Sequence, residues 1–470
     1  MNLSRRNFLA AAHGAALFYG AAHHLGAFAA TTNAGLRLRP DPAGLLDLPE
    51  GFSYSVVARS GEPMSDGLVR PGRPDGMACF PMRGDPTKCI LLRNHENFPN
   101  SEGGSPFGEG EALLGRLDPT LLYDRKADGS PFTGGVTKSV YDLASGRLER
   151  DFLALAGTTA NCAGGATPWG SWLTCEESVV APGSGAGRPH GFVFEVPASA
   201  TGPVAPVPLT AMGRFVHEAA AVDPGTGIVY LTEDNRLGLF YRFLPNARGE
   251  LARGGRLQAL ALRGWRSANT SNWPADWDGP GVGRIEPGTA FETEWIALDN
   301  VEAPEADLAV RGHAAGAAQF CRGEGMAFGI LPGQRRGSVY FTCTQGGGPR
   351  AGQVWRYSPG PREGQTDEGS SPGRLTLIYE SPGGDTLDMC DNLVIAPWGD
   401  LILCEDGLGD QYLRGLTPDG RIYDFARNAQ SRRAEFCGAC FSPDGRILFV
   451  NVQTPGLTFA ISGPWERLRG

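Results

Sequence analysis

No stripe of Lys and Arg interrupts this chain, and its formal net charge is −9. Nucleic-acid binding needs cationic side chains that displace counterions from phosphates, so that class is set aside. After residue 30 no segment approaches the run of about 18 apolar residues that a membrane-spanning helix requires, and the mature protein is expected to be soluble. P-loop, H-E-x-x-H and EF-hand patterns are all missing. Gly369-Ser370-Ser371-Pro372-Gly373 matches G-x-S-x-G in letters alone, because a polar loop lacks the strand-to-helix setting of a nucleophile elbow. Cys437 and Cys440 form one C-x2-C, and without a second pair at suitable spacing it is a weak zinc signal.

What is present in quantity is turn chemistry. The 470 residues include 68 Gly and 36 Pro, spread along the whole length without a collagen period. They read as punctuation between many short strands, so an all-β fold is expected. Ser4-Arg5-Arg6-Asn7-Phe8-Leu9 opens an alanine-rich stretch without acidic residues that closes on Ala27-Phe28-Ala29. Paired arginines, a weakly apolar segment and an A-x-A site predict a twin-arginine export signal over residues 1–30, cleaved after use. The remainder, 31–470, is expected to be a single domain in the periplasm or released from the cell. Ten cysteines in an exported chain suggest some disulfides, although the chain is long enough to build its own core.

Internal repetition organises the rest. Six segments share one shape: DGMACFP (75–81), CAGGATP (162–168), EAAAVDP (218–224), EGMAFGI (324–330), DNLVIAP (391–397) and CGACFSP (437–443). A metal-ligand type of residue leads, small and apolar residues follow, and in five of the six a proline stands sixth after the leader. Each is followed by a β-prone run with polar residues at its end: CILLRNHE (89–96), WLTCEE (172–177), VYLTEDN (229–235), VYFTCTQ (339–345), LILCEDG (401–407) and LFVNVQ (448–453). Further strands are expected at 192–196, 239–244, 353–357 and 374–380, with loops near 100–118, 266–290 and 358–373. Six strand-hairpin units predict a six-bladed β-propeller with loop insertions.

In a propeller the innermost strands line the central channel, so the leading column would converge there: Asp75, Cys162, Glu218, Glu324, Asp391 and Cys437. The ends of the partner strands add Asn94, His95, Glu96, Glu176, Glu177, Glu233, Asp234, Glu405 and Asp406. Crowded carboxylates stay ionised only beside cations. Carboxylate oxygens suit calcium, whereas a thiolate among them suits a transition metal such as iron or zinc. Arg322 alternates to the same face as Glu324; it either binds a phosphate oxygen or pairs with a carboxylate. His217 should point away from Glu218, toward the core. Cys175, Cys343 and Cys404 look like core or disulfide positions.

The blocks NHE (94–96), NCAGGATPWGSWLTCEE (161–177), GRFVHEAAAVDPGTGIVYLTEDN (213–235), RGEGMAF (322–328), CEDG (404–407) and FSPDGRILFVNVQTPG (441–456) resemble the PhoX family of bacterial alkaline phosphatases. The resemblance implies a six-bladed propeller holding iron and calcium that hydrolyses phosphomonoesters, with a metal-activated oxide or hydroxide attacking phosphorus. It implies that Cys162 is the thiolate on iron, that Glu96, Glu177, Glu218, Glu324 and Asp391 are metal ligands, and that Arg322 binds phosphate. Cys162 and Arg322 are the catalytic candidates. The expected partners are small phosphorylated substrates and the twin-arginine translocation machinery, with a monomeric chain. Two alternatives stand beside this one, a calcium-dependent lactonase or esterase and a non-enzymatic ligand-binding propeller.

Overall fold

Small residues next to the leading column let backbones approach closely around an axis, and the fold is built on that approach. A computed structural model describes residues 36–100, 103–274, 283–430 and 434–468; the arginine pair and the A-x-A site lie outside the described residues. The described chain is all-β and propeller-like, with one short α-helix, Leu308–Ala315. Six strands carry the leading column: Pro74–Pro81, Asn161–Ala166, His217–Val222, Gly323–Gly329, Cys390–Ile395 and Phe436–Phe441. Each packs against the next in chain order, and the last packs against the first, which closes a ring. A Cβ on Gly76 would lie 2.6 Å from the Cα of Ala163, and one on Gly325 2.5 Å from the Cα of Asn392. No side chain fits at either position.

From each of these strands an antiparallel sheet runs outward. The sheet that begins at Pro74–Pro81 has four strands, and the one that begins at Asn161–Ala166 has three. The sheet of Phe436–Phe441 ends on Ser53–Arg59, which pairs with Leu457–Ser462, so the two ends of the described chain are stitched together. Leu38–Arg39 and Leu46–Pro49 extend the sheet of Cys390–Ile395 to six strands. The sheets of His217–Val222 and Gly323–Gly329 fuse into one of ten strands through Ala290–Ala297, which pairs with Gly255–Leu262 on one side and Arg374–Glu380 on the other. Between sheets lie apolar layers such as Ile402, Phe425, Phe436, Val450 and Phe459, all fully buried, each worth roughly 1.5–3 kcal/mol of burial.

The strands expected at 192–196, 239–244, 353–357 and 374–380 are present within a residue or two, and Glu368–Ser370 within the 358–373 loop is only a 3-10 turn. That loop is nevertheless held firmly. Arg242, fully buried, donates to Glu363 at 2.7 Å and to Glu368 at 2.6 Å, and its guanidinium lies 4.4 Å over the Trp295 ring. Arg242→Met strands these acids in a desolvated site, so the unfolding free energy is expected to fall by about 3 kcal/mol in a denaturant titration. An unchanged midpoint would mean that the loop contributes nothing to folding. All ten cysteines are free thiols and nine are buried, which corrects the expectation of disulfides. Cys89, Cys175, Cys343, Cys390, Cys404 and Cys440 sit in apolar layers as small core residues, whereas Cys162 and Cys437 lie among acids.

Candidate metal and phosphate site

A β-bulge aims each leading side chain. In every one of the six strands the register with its neighbour shifts near the leading residue, as between Pro74 and Met77 or His217 and Ala220. Bulges re-aim side chains and bend the strand. One hydrogen bond recurs around the ring: the amide ending the second strand donates to the carbonyl just before the first. The pairs are Glu96 to Arg73 (2.9 Å), Glu177 to Ala160 (2.8 Å), Asp234 to Val216 (3.1 Å), Thr344 to Arg322 (2.9 Å), Asp406 to Met389 (3.0 Å) and Gln453 to Glu435 (3.2 Å). Two columns therefore face the same end of the channel. One is the leading column; the other is Glu96, Glu177, Asp234, Thr344, Asp406 and Gln453.

The backbone of the leading column is pinned from the preceding strand pair. Asn94 donates to the carbonyls of Cys162 and Ala163 at 2.9 and 2.7 Å, and its own oxygen accepts from Trp172 at 2.8 Å. Asn451 holds the Asp75 carbonyl, Thr232 that of Glu324 and Thr342 that of Asp391, each at 2.6 Å. This polar position explains the buried Asn and Thr that interrupt otherwise apolar strands. His217 keeps to the core, stacked on Phe215 and bonded to the Gly213 carbonyl.

The side chains then converge. Ligand atoms of Glu96, Cys162 and Glu177 lie within 4.8 Å of one another, as do those of Glu218, Glu324 and Asp391. The six expected ligands thus fall into two adjoining triads, joined where the Cys162 thiol donates to Glu218 Oε1 at 3.2 Å. Asp75, Glu435 and Cys437 form a third such group, and Asp391, Asp406 and Glu435 a fourth. Glu435 escapes a reading of the repeat because it stands before its strand; its one signal is its place two residues ahead of Cys437. Arg322 pairs with Asp234 through Nε and Nη2 at 2.7 and 2.8 Å and reaches Glu324 at 2.8 Å.

Electrostatics match this crowding. Burial and neighbouring acids push the carboxyls of Asp75, Glu177, Glu218, Glu324 and Glu435 well above the usual carboxylate range, and that of Asp391 up to about 8. The same causes raise the thiols of Cys162 and Cys437. Asp234 is the exception, held low by the Arg322 guanidinium against the cost of burial. Asp75 Oδ1 and Glu218 Oε2 are buried without any hydrogen-bond partner, a costly condition that a cation would relieve. Oxygen-rich groups, two of which include a thiol, fit hard and borderline cations together. The far end of the channel is different: a cavity of about 370 Å³ lined by residues such as Met77, Val222, Met326 and Phe441, with no acid.

The family described as "Alkaline phosphatase PhoX" matches residues 34–456. Among solved structures, PhoX of Pseudomonas fluorescens in complex with vanadate, a transition state analogue, aligns with a TM-score of 0.64 at 19% identity, over 91% of this chain and 97% of that one. A gluconolactonase of Xanthomonas campestris aligns with a TM-score of 0.38 at 10% identity, over 87% and 98%. A virginiamycin B lyase of Staphylococcus aureus gives 0.36 at 11% identity, over 87% and 99%. No curated protein matches the chain.

Proposed function

Because the chain belongs to the alkaline phosphatase PhoX family and is a metal-dependent phosphomonoester hydrolase, we propose that its two acid triads and Arg322 are the working site. Residues 31–470 then form one six-bladed propeller, in which the ten-stranded sheet counts as two blades joined along their outer edges. The observation that carries the assignment is the meeting of Glu96, Cys162 and Glu177 with Glu218, Glu324 and Asp391 at one end of the channel. Glu96, Cys162 and Glu177 would hold iron, since sulfur ligation favours a transition metal. The all-oxygen groups Glu218–Glu324–Asp391 and Asp391–Asp406–Glu435 would hold calcium. When bound, such cations neutralise the ester's negative charge and act as Lewis acids on its oxygens.

The chain's own groups do the positioning. Asp234 grips the Nε and Nη2 edge of Arg322 and fixes the plane of the guanidinium. Its Nη1 edge is the one that a phosphoryl oxygen takes, where charge gathers during in-line displacement. Asn94 keeps the Cys162 backbone still, so the sulfur holds its place between the triads. The paired arginines and A-x-A site at residues 5–6 and 27–29 support export by the twin-arginine route to the periplasm; among the described residues no helix is long and apolar enough to cross a membrane.

Elemental analysis of the purified protein, paired with an assay on p-nitrophenyl phosphate in the presence of calcium, tests this reading. Iron and calcium should copurify with phosphatase activity. A well-folded protein that binds neither ion and leaves the ester intact would sink it. Arg322→Lys keeps a charge and loses the planar fork, so kcat/KM is expected to drop about tenfold; an equal loss of bound metal would reassign Arg322 to structure.

A further inference from the structure

Arg73 and Arg322 occupy the same place in the repeat. Each immediately precedes the first paired residue of its inner strand, Pro74 or Gly323. Each accepts the recurring amide bond through its carbonyl, and each stands at positive φ, 47° and 51°. A non-glycine residue in that region costs about 1 kcal/mol or more, so the direction of its side chain is imposed by the surroundings. At the other four copies the position holds Ala160, Val216, Met389 and Glu435, none of them a cation. In the closed ring, the strands that follow Arg73 and Arg322 are three apart whichever way they are counted.

Both guanidinium groups also do the same thing. Arg73 reaches the Glu96 carboxylate through Nη2 at 2.5 Å and the Glu96 carbonyl through Nε at 2.9 Å. Arg322 reaches Glu324 at 2.8 Å. Each therefore caps a different acid triad. Both side chains remain partly exposed, 30% and 22%, while the acids they cap are 7% and 4% exposed, which sets the cations on the solvent side of the carboxylates. Phe98 lies 5.6 Å under the Arg73 guanidinium and engages its face, leaving the donor edges to polar partners.

A phosphoryl group in the channel is held by Arg322 from one wall only, and a guanidinium on the opposite wall supplies the matching charge. We propose that Arg73 is a second phosphate-binding residue, which takes an oxygen of the phosphomonoester from across the channel while Arg322 takes another. This rests on the phosphatase reading of the site. With a guanidinium on each wall, the phosphoryl group is clamped in orientation, and the ester's organic part is left facing solvent.

The test is calorimetric titration of inorganic phosphate into the metal-loaded protein, with the metal content of each preparation measured in parallel. Arg73→Gln is expected to weaken phosphate binding about tenfold, the size of one charge-assisted bidentate contact, at wild-type metal content. Arg73→Lys, the milder change, should recover part of the loss. Phosphate affinity equal to wild type in both variants overturns the proposal. So does a loss that merely tracks missing metal, because Arg73 would then serve only to hold Glu96. Wild-type protein that neither binds phosphate nor cleaves p-nitrophenyl phosphate fails at the earlier step and takes down the phosphatase reading with it.

Discussion

Cys162→Ser is expected to yield a folded protein that has lost its iron and at least about 10³-fold in turnover, the upper end of what a single electrostatic contact costs when deleted. The backbone around the position should not move, because Asn94 holds the carbonyls of Cys162 and Ala163 whatever the side chain is. Serine is close in size and still donates toward Glu218, so packing and hydrogen bonding are preserved. What changes is softness and acidity. A serine hydroxyl does not ionise at neutral pH and is a poor partner for a transition metal, whereas a thiol ionises once a cation is present. The Cys162 thiol is pushed up by burial and by Asp75, Glu218, Glu96 and Glu177, so binding of the ion must expel a proton. Iron uptake by the wild type should consequently weaken in acid. Elemental analysis and steady-state rates on the same Cys162→Ser preparation decide the matter. Full iron occupancy with near-normal rates would remove sulfur from the site.

Much of this arrangement could be read from residues alone. The leading column was legible because each member is followed at a fixed offset by small residues and a turn, and a bulge at the same point of each strand sends all six side chains to one end of the channel. The expected site residues Glu96, Glu177 and Arg322 sit at repeat positions tied by the same amide-to-carbonyl bond, so a pattern of letters became a pattern of geometry. Arg73 and Glu435 share the position of Arg322 and were passed over. That position varies among Arg, Ala, Val, Met and Glu, and it lies ahead of the repeated segment, so no shared residue type marks it. Ala290–Ala297 was missed for another reason. Only Thr293 of its residues is buried, Phe291 and Trp295 pack on the core while staying partly exposed, and its pairing lies between two outer edges distant in sequence. The cysteines misled because composition reports a compartment, while pairing depends on which face of which strand each thiol occupies.

Removal of cations should expose the cost of the acid ring directly, and the sign of its pH dependence is fixed. A carboxyl whose pKa is raised on folding binds its proton more tightly in the native state. Its contribution to stability is complete below the unfolded pKa and is lost as pH climbs through the folded one. For Asp391 that window runs from 3.8 to about 8; Asp75, Glu177, Glu218, Glu324 and Glu435 shift in the same direction. Protein stripped by a chelator should therefore lose stability steadily in alkali, with a melting temperature at least about 5 °C lower at about pH 9 than at about pH 5. Protein loaded with iron and calcium has its carboxylates neutralised by the ions and should show little of this slope, so the gap between the two forms widens as pH rises. Differential scanning calorimetry of both forms across the pH range measures that gap. A stripped protein that is equally stable, or more stable, at the alkaline end would mean that the acids are relieved by something other than bound cations. Because the same carboxyls must be ionised to hold the ions, the pH that most endangers the stripped protein is the pH at which the loaded one is best assembled.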